Sequence, residues 1–423
     1  MAQHHGGPGR PVNGGNAAAT IYYGWIIVGA CSLILLASFG IYYSFSVFFS
    51  SLQTEFMWTR ARTSSLFSVY LICSGMFSII CGQALDRFGP RWVVILMGII
   101  TGLSLLCISR VTAAWQMYLF YSVLLALGTG PMYIMAMGTA SRWFTKKRGL
   151  ALGIIGASAG LGTVIFSPFS AWMITTFHWR QAYLAIGMIA MAMIVPAGLL
   201  LRYAPGAADE PREQQTADPQ PQQRPPPGES GGYTLHQVVA TTNFRLFFCI
   251  WFCYSFCLHL VMAHTVPRAE DIGMSPIRAA ALLSALTIAV IPARLLSGFF
   301  ADQLDKRRLF IVLALVQLVV LGWLAAADRP WMIFVFAVCY GISYGAIDPP
   351  VIALVGDAFG LTRLGSIMGL LMVAWGMGSA AGPFLAGLIF DITGAYTIAF
   401  LTAGFLMALA AILGLKITLE SHS

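Results

Sequence analysis

Runs of apolar residues of membrane-spanning length recur along almost the whole chain. A helix that crosses a lipid bilayer needs about 20 mostly apolar residues. Stretches of about this length lie at 25–48, 64–85, 92–108, 114–137, 150–173, 181–201, 244–266, 279–300, 309–327, 331–355, 366–390 and 395–417. The sequence therefore predicts an all-α membrane protein with twelve transmembrane helices embedded in a lipid bilayer.

Charged residues are scarce in this chain. Of the 423 residues, 9% are charged and 58% are hydrophobic, whereas about a quarter of the residues in an ordinary soluble domain are charged. This composition excludes a water-soluble globule and an enzyme with a large domain outside the membrane. The net charge of +8 does not indicate nucleic-acid binding, because the loops of membrane proteins retain Lys and Arg as topology signals.

The sequence lacks the residue patterns that are typical of enzymes. It contains no nucleophile–base motif and no Gly-rich phosphate-binding loop with a Lys, which argues against an ATP-driven pump. The eight cysteines all lie in apolar stretches, where they behave as small hydrophobic side chains. We expect no enzymatic activity, no cofactor, no metal site, no nucleic-acid partner and no obligatory protein partner.

One polar stretch interrupts the series of spans after the sixth. Residues 203–243 include PQPQQRPPPGESGG, a composition that cannot bury apolar area and predicts a flexible linker. The predicted organisation is a disordered N-terminal tail at 1–20, a six-helix half at 21–202, the linker at 203–243, a second six-helix half at 244–417 and a C-terminal tail at 418–423.

The distribution of basic residues predicts the orientation of the chain in the membrane. Apart from the tails and the linker, the loops on one side carry Arg87, Arg91, Arg142, Lys146, Lys147, Arg148, Lys306, Arg307, Arg308 and Arg363. The loops on the other side carry fewer basic residues: Arg60, Arg62, Arg110, Arg180, Arg268, Arg278 and Arg329. Since Lys and Arg accumulate on the cytoplasmic side, we expect both termini and the linker to be cytoplasmic.

Landmark residues recur between the two predicted halves at a nearly constant offset. Asp86 in GQALDRFGPR corresponds to Asp302 in GFFADQLDKR at an offset of 216, and Pro168 corresponds to Pro383 at an offset of 215. Such an internal repeat is typical of transporters in which two halves rock around a substrate site near the middle of the membrane. A receptor or a membrane enzyme would not need this symmetry.

The loop between the second and third spans resembles the signature of the major facilitator superfamily. The matching residues are Gly82, Asp86, Gly89 and Arg91. The resemblance implies that superfamily's fold of two six-helix halves. We expect Asp86, Arg87 and Arg91 to take part in gating, through contacts that form in one state and break in the other. The second copy retains Asp302 but lacks the later Gly, which predicts a weaker gate.

A second resemblance narrows the family. The segment WFTKKRGLALGIIGASAG at 143–160 looks like the fifth-span signature of the monocarboxylate transporters, and Tyr23, Gly24 and Trp25 are what remains of their first-span signature. The resemblance implies a proton-coupled lactate- or pyruvate-type carrier, which we expect in a bacterial inner membrane. Bacterial oxalate and formate exchangers share most of these features, so anion exchange stays open. A non-transporting sensor is disfavoured because no output module is present.

Arg294 is the predicted anchor for the substrate carboxylate. It lies eight residues before Asp302 in the eighth span, which places it about 12 Å inside the membrane. An ionisable residue at such depth indicates function, and a guanidinium binds a carboxylate in a two-pronged geometry. The resemblance agrees, since monocarboxylate transporters carry an Arg at the matching position of span eight.

Asp348 is the predicted proton carrier. Monocarboxylate transporters often have an Asp four residues before that Arg, but this chain has Val290 there. Asp348 in the tenth span lies at a similar depth, and the internal repeat relates it to Tyr133. We expect Arg294 and Asp348 to pair in the empty site, in helices interrupted at Pro292 and at 349–350.

Aromatic and polar residues complete the predicted site. Tyr42, Tyr43, Tyr133 and Tyr344 are candidates for the wall around a small acid. Trp375 occupies the position at which the related oxalate exchangers carry a Lys, which favours a small monocarboxylate over a dicarboxylate. Near the outer end of span seven, His264 and Asp271 are candidates for a proton entry, because His titrates near neutral pH.

Overall fold

Twelve long helices make up the computed structural model, which describes residues 23–144, 148–202, 235–301, 304–359 and 364–418. The helices are α1 Tyr23–Phe56, α2 Arg60–Phe88, α3 Pro90–Ile108, α4 Ala114–Trp143, α5 Arg148–Phe177, α6 Trp179–Leu200, α7 Thr242–Asp271, α8 Pro276–Ala301, α9 Lys306–Ala326, α10 Pro330–Phe359, α11 Leu364–Thr393 and α12 Thr397–Leu415. All twelve are long and apolar enough to cross a membrane. The predicted fold class is confirmed.

The end of the predicted linker is helical. A short helix, Leu235–Ala240, precedes α7, and Thr241 caps α7 by accepting a hydrogen bond from the backbone N–H of Phe244. The polar residues just before 244 therefore start a helix, a role for which Thr is well suited. The rest of the linker at 203–234, the tail at 1–20 and residues 419–423 lie outside the described residues.

The two halves repeat one packing scheme. In the first half α1 packs on α5, α2 on α4 and α3 on α6; in the second half α7 packs on α11, α8 on α10 and α9 on α12. Two clusters of buried apolar side chains correspond to the two halves, except that Val47 and Ala171 join the cluster of the second half and Ala263 joins that of the first. The halves meet through α2 with α11, α5 with α8 and α1 with α7. We call the side with the start of α1 and of α7 the linker side, and the opposite side the far side.

The prolines do not break α8 or α10, contrary to the expectation from the sequence. Both helices continue through Pro292, Pro349 and Pro350. A proline removes the N–H that would bond to the carbonyl four residues earlier, and for Pro350 this is the carbonyl of Ala346. The hydroxyl of Ser297 on α8 donates to that carbonyl. A neighbouring helix thus satisfies the exposed acceptor, which lets a buried helix tolerate proline.

Candidate functional site

Two glycines set the register between α8 and α10. A Cβ added at Gly341 would lie 2.2 Å from the carbonyl oxygen of Leu286, and one added at Gly345 would lie 2.5 Å from that of Val290. The two glycines are one helical turn apart, so the backbones of α8 and α10 touch along this line, as small residues at this spacing allow. The contact brings Asp348, the next residue on this side of α10, beside α8.

Arg294 and Asp348 form the ion pair that the sequence predicts. Nη2 of Arg294 donates to Oδ2 of Asp348. The other carboxylate oxygen, Oδ1, accepts a hydrogen bond of 2.6 Å from the hydroxyl of Tyr254 on α7. The Arg294 side chain is 46% exposed and that of Asp348 is 21% exposed. The charges therefore lie at the surface of a cavity, where a solute can reach them.

Aromatic rings from both halves surround this pair. Tyr43 on α1 and Tyr133 on α4 are close enough for an electrostatic interaction with both Arg294 and Asp348. The ring of Tyr344 on α10 lies 5.9 Å from the guanidinium carbon of Arg294. The structure thus brings these three predicted tyrosines together at the charged pair. Their rings and hydroxyls suit a small organic acid.

Tyr42, beside Tyr43 on α1, joins the two halves. Its hydroxyl lies 2.8 Å from Nε2 of His259 on α7, and Nδ1 of His259 lies 2.9 Å from the carbonyl oxygen of Ser255. Since a carbonyl only accepts hydrogen bonds, Nδ1 is the donor, and Nε2 of the neutral ring accepts from Tyr42. The Tyr42 ring also packs on Tyr43 with centroids 4.6 Å apart. The Tyr42 hydroxyl is therefore engaged in a contact between the two halves.

Trp375 faces α7. Its ring packs against Trp251 and Tyr254, with centroids 5.8 Å and 5.7 Å apart, and lies edge-on to His259 at 5.6 Å. Its carbonyl accepts a hydrogen bond of 2.7 Å from Ser255. Because the indole is used in packing α11 on α7, it does not project alone across the cavity. Its proposed effect on substrate size is correspondingly indirect.

A network around Arg60 joins the halves on the far side. The guanidinium of Arg60 on α2 makes a two-pronged ion pair with Asp271 on α7, with distances of 2.8 and 2.5 Å. It also donates to the hydroxyl of Tyr396 at 2.6 Å and stacks 3.7 Å from the Phe390 ring centroid. Asp391 accepts from the backbone N–H of Arg60 at 2.8 Å. We refer to these five residues as the far-side cluster.

His264 belongs to the same region. It is fully buried; its Nδ1 lies 2.9 Å from the hydroxyl of Tyr396 and its Nε2 lies 2.9 Å from the carbonyl oxygen of Pro383. Ser64 on α2 lies 3.2 Å from Nε2. The two residues predicted as a proton entry, His264 and Asp271, thus both contact Tyr396 or its partner Arg60. Their part in proton transfer stays a prediction.

Proline-freed carbonyls supply further bonds between the halves. Pro267 frees the carbonyl of Ala263, which accepts from Ser46 on α1 at 2.9 Å. The carbonyl of Val164 on α5, four residues before a proline, accepts from Ser284 on α8 at 3.2 Å. With the far side held closed by these bonds and by the far-side cluster, the opening that exposes Arg294 is on the linker side.

The predicted linker-side gate is only partly described. The guanidinium carbons of Arg87 and Arg91 lie 5.3 and 5.6 Å from the ring centroids of their neighbours Phe88 and Trp92. Asp302 and the side chain of Asp86 lie outside the described residues. The gating role of these four charged residues therefore stays a prediction. Among the described residues, no group of three or more His, Cys, Asp or Glu side chains is placed to hold a metal ion.

Most of the chain matches one known protein family. Residues 31–316 and 247–423 match the family described as the Major Facilitator Superfamily. The chain belongs to the major facilitator superfamily. A similar fold is seen in a bacterial homologue of the human lysosomal transporter Spinster, solved in an inward-facing, unoccupied conformation. The TM-score is 0.74, the sequence identity is 14%, and the match covers 94% of this chain and 96% of that chain.

Relatives within the superfamily carry the name monocarboxylate transporter. The chain is 27% identical to monocarboxylate transporter 13 of Bos taurus over 403 residues, covering 92% of this chain and 88% of that protein. It is 28% identical to monocarboxylate transporter 12 of Xenopus laevis, with the same coverage, and 26% identical to monocarboxylate transporter 11 of Homo sapiens, covering 95% and 82%. The protein is accordingly an integral membrane transporter and not an enzyme.

Proposed function

We propose that the protein is a proton-coupled symporter of a small monocarboxylate such as L-lactate or pyruvate. The observation that carries this proposal is the ion pair of Arg294 and Asp348, which is partly exposed and lies close to tyrosines of the first half. Arg294 binds the substrate carboxylate, and Asp348 binds the proton. The names of the relatives support a monocarboxylate as the substrate class.

Charge balance explains the coupling of one proton to one anion. In the empty site the positive Arg294 and the negative Asp348 cancel. When a substrate carboxylate takes the place of Asp348 on the guanidinium, Asp348 loses its counter-charge in a site of low dielectric constant. Protonation of Asp348 removes this uncompensated charge. The loaded site is then neutral again, and the carrier moves substrate and proton together.

Alternating access requires that the far side open. The contacts of the far-side cluster and the bond between Tyr42 and His259 hold the two halves together in the present state. Rocking of the halves breaks these contacts and closes the linker side. With both termini and the linker cytoplasmic, as the Lys and Arg distribution indicates, the state described here is open to the cytoplasm, and the proposed location is the plasma membrane.

Uptake by proteoliposomes tests the symport mechanism. We expect labelled L-lactate to accumulate only with an inward proton gradient, and we expect Arg294→Ala to abolish this accumulation. Arg278→Ala is the matched control, because Arg278 lies on the same helix but is exposed at its far-side end. Absence of lactate and pyruvate uptake in the native protein would refute the proposed substrate.

Asp348→Asn separates symport from exchange. If Asp348 carries the proton, this variant loses gradient-driven uptake but retains exchange of labelled for unlabelled lactate, since the neutral side chain mimics the protonated state. Gradient-driven uptake that survives in Asp348→Asn contradicts the role of Asp348. Native uptake that needs an opposing anion and ignores the gradient indicates an exchanger of the oxalate/formate type instead.

A further inference from the structure

The hydroxyl of Tyr254 lies between two acceptors on α10. It is 2.6 Å from Oδ1 of Asp348 and 3.3 Å from the carbonyl oxygen of Tyr344. Tyr254 is 2% exposed. Its ring is held between those of Tyr344 and Trp375, with centroids 5.9 and 5.7 Å away. The hydroxyl can therefore rotate its hydrogen from one acceptor to the other while the ring stays in place.

The two acceptors suit the two protonation states of Asp348. A tyrosine hydroxyl has one hydrogen to donate. An ionised carboxylate is the stronger acceptor, because hydrogen bonds to charged groups are shorter and stronger than neutral ones. Once Asp348 is protonated, the hydroxyl of Tyr254 can turn to the carbonyl of Tyr344. A buried donor is costly when unpaired, and here it has a partner in both states.

Among the residues that the structure describes, few charged or titratable groups face Asp348. Arg294 approaches from α8 and Tyr254 from α7, Tyr344 is on α10 itself, and Tyr43 and Tyr133 face the pair from the first half. Arg294 leaves Asp348 when substrate binds, according to the function proposed above. Tyr254 then remains as the group that donates a hydrogen bond of 2.6 Å to the carboxylate.

We propose that Tyr254 is a positioning residue for the proton step: it holds the carboxylate of Asp348 toward the cavity and sets the pH at which Asp348 binds its proton. This inference rests on the proposed role of Asp348 as proton carrier. The proton enters from water in the cavity and binds a carboxylate oxygen of Asp348. Tyr254 keeps its own proton throughout and changes only the acceptor.

Infrared titration tests this inference without any substrate. The protein is reconstituted in lipid, and the carboxylic C=O band that is lost in Asp348→Asn is followed against pH. We expect Tyr254→Phe to raise the pH midpoint of the Asp348 titration, as followed by this band, by about one pH unit. This is the lower end of what a hydrogen bond to a charged group contributes. The sign is positive because the variant removes a donor that favours the ionised form.

Tyr340→Phe is the matched control. Tyr340 is fully buried one turn before Tyr344, stacks on its ring at 6.5 Å, and its hydroxyl has no hydrogen-bond partner among the described residues. Its loss is expected to leave the midpoint unchanged. A native midpoint in Tyr254→Phe, or an equal shift in Tyr340→Phe, overturns the inference. The titration contains no lactate, so its result does not depend on whether lactate or pyruvate is the substrate.

Discussion

The far-side cluster makes a quantitative prediction about the conformational equilibrium. Asp271→Asn keeps the shape of the side chain but removes the charge that pairs with Arg60. The guanidinium and carboxylate are 11% and 30% exposed, so solvent screens the pair only in part. A hydrogen bond to a charged group contributes about 1.5–3 kcal/mol, and we take the lower end because Asn still accepts one bond. About 1.5 kcal/mol corresponds to about a tenfold increase in the population open to the far side.

A distance measurement between the halves checks the expected increase in the population that is open to the far side. Spin labels at Arg110 and Arg329, which lie in exposed far-side loops of the two halves, report the separation after the eight native cysteines are replaced. Glu55→Gln is the matched control: Glu55 pairs with Arg180 at 2.6 Å on the same side, but both residues lie in the first half. The reasoning is refuted if Asp271→Asn leaves the distance distribution unchanged, or if Glu55→Gln shifts it equally.

Two further predictions concern the packing of α8 against α10. Gly345→Ala places a Cβ 2.5 Å from the carbonyl oxygen of Val290. We expect this overpacking to lower the free energy of unfolding by about 1–3 kcal/mol and to abolish lactate uptake. The control is Gly376→Ala, which has open space around it and is expected to leave the thermal midpoint and the uptake unchanged. Ser297→Ala removes the donor to the carbonyl of Ala346, and we expect a loss of about 1 kcal/mol, measured by thermal denaturation in detergent; an unchanged midpoint contradicts this account of the proline-containing helix.

The fold and the charged pair were within reach of the sequence. Apolar runs of span length mark each helix, since the bilayer imposes this length on every crossing. The repeat that relates Tyr133 to Asp348 places Asp348 near the middle of the fold. Arg294 stands out because charges are rare inside spans. Their pairing follows from similar depth and opposite charge, and the structure contains it.

Tyr254 and Arg60 were beyond the reach of the sequence. Tyr254 is one of 15 tyrosines, and only the packing of α7 against α10 brings its hydroxyl to Asp348. Arg60 resembles any loop arginine until α7, α11 and α12 converge on it. The predicted helix breaks at the prolines were wrong for a related reason. Ser297, which donates to the carbonyl that Pro350 leaves free, lies on another helix, 53 positions away in sequence.

α7 connects the proposed proton site with the closure of the far side. Along this one buried helix, Tyr254 contacts Asp348, His259 contacts Tyr42 and Asp271 contacts Arg60. The last two contacts cross between the halves, at different depths on the same helix. If α7 moves as a rigid helix, a rocking motion that separates Asp271 from Arg60 therefore also stretches the hydrogen bond between His259 and Tyr42. Since the Tyr42 ring packs on Tyr43, one of the tyrosines beside Arg294 and Asp348, we expect opening of the far side to move the wall of the substrate site as well.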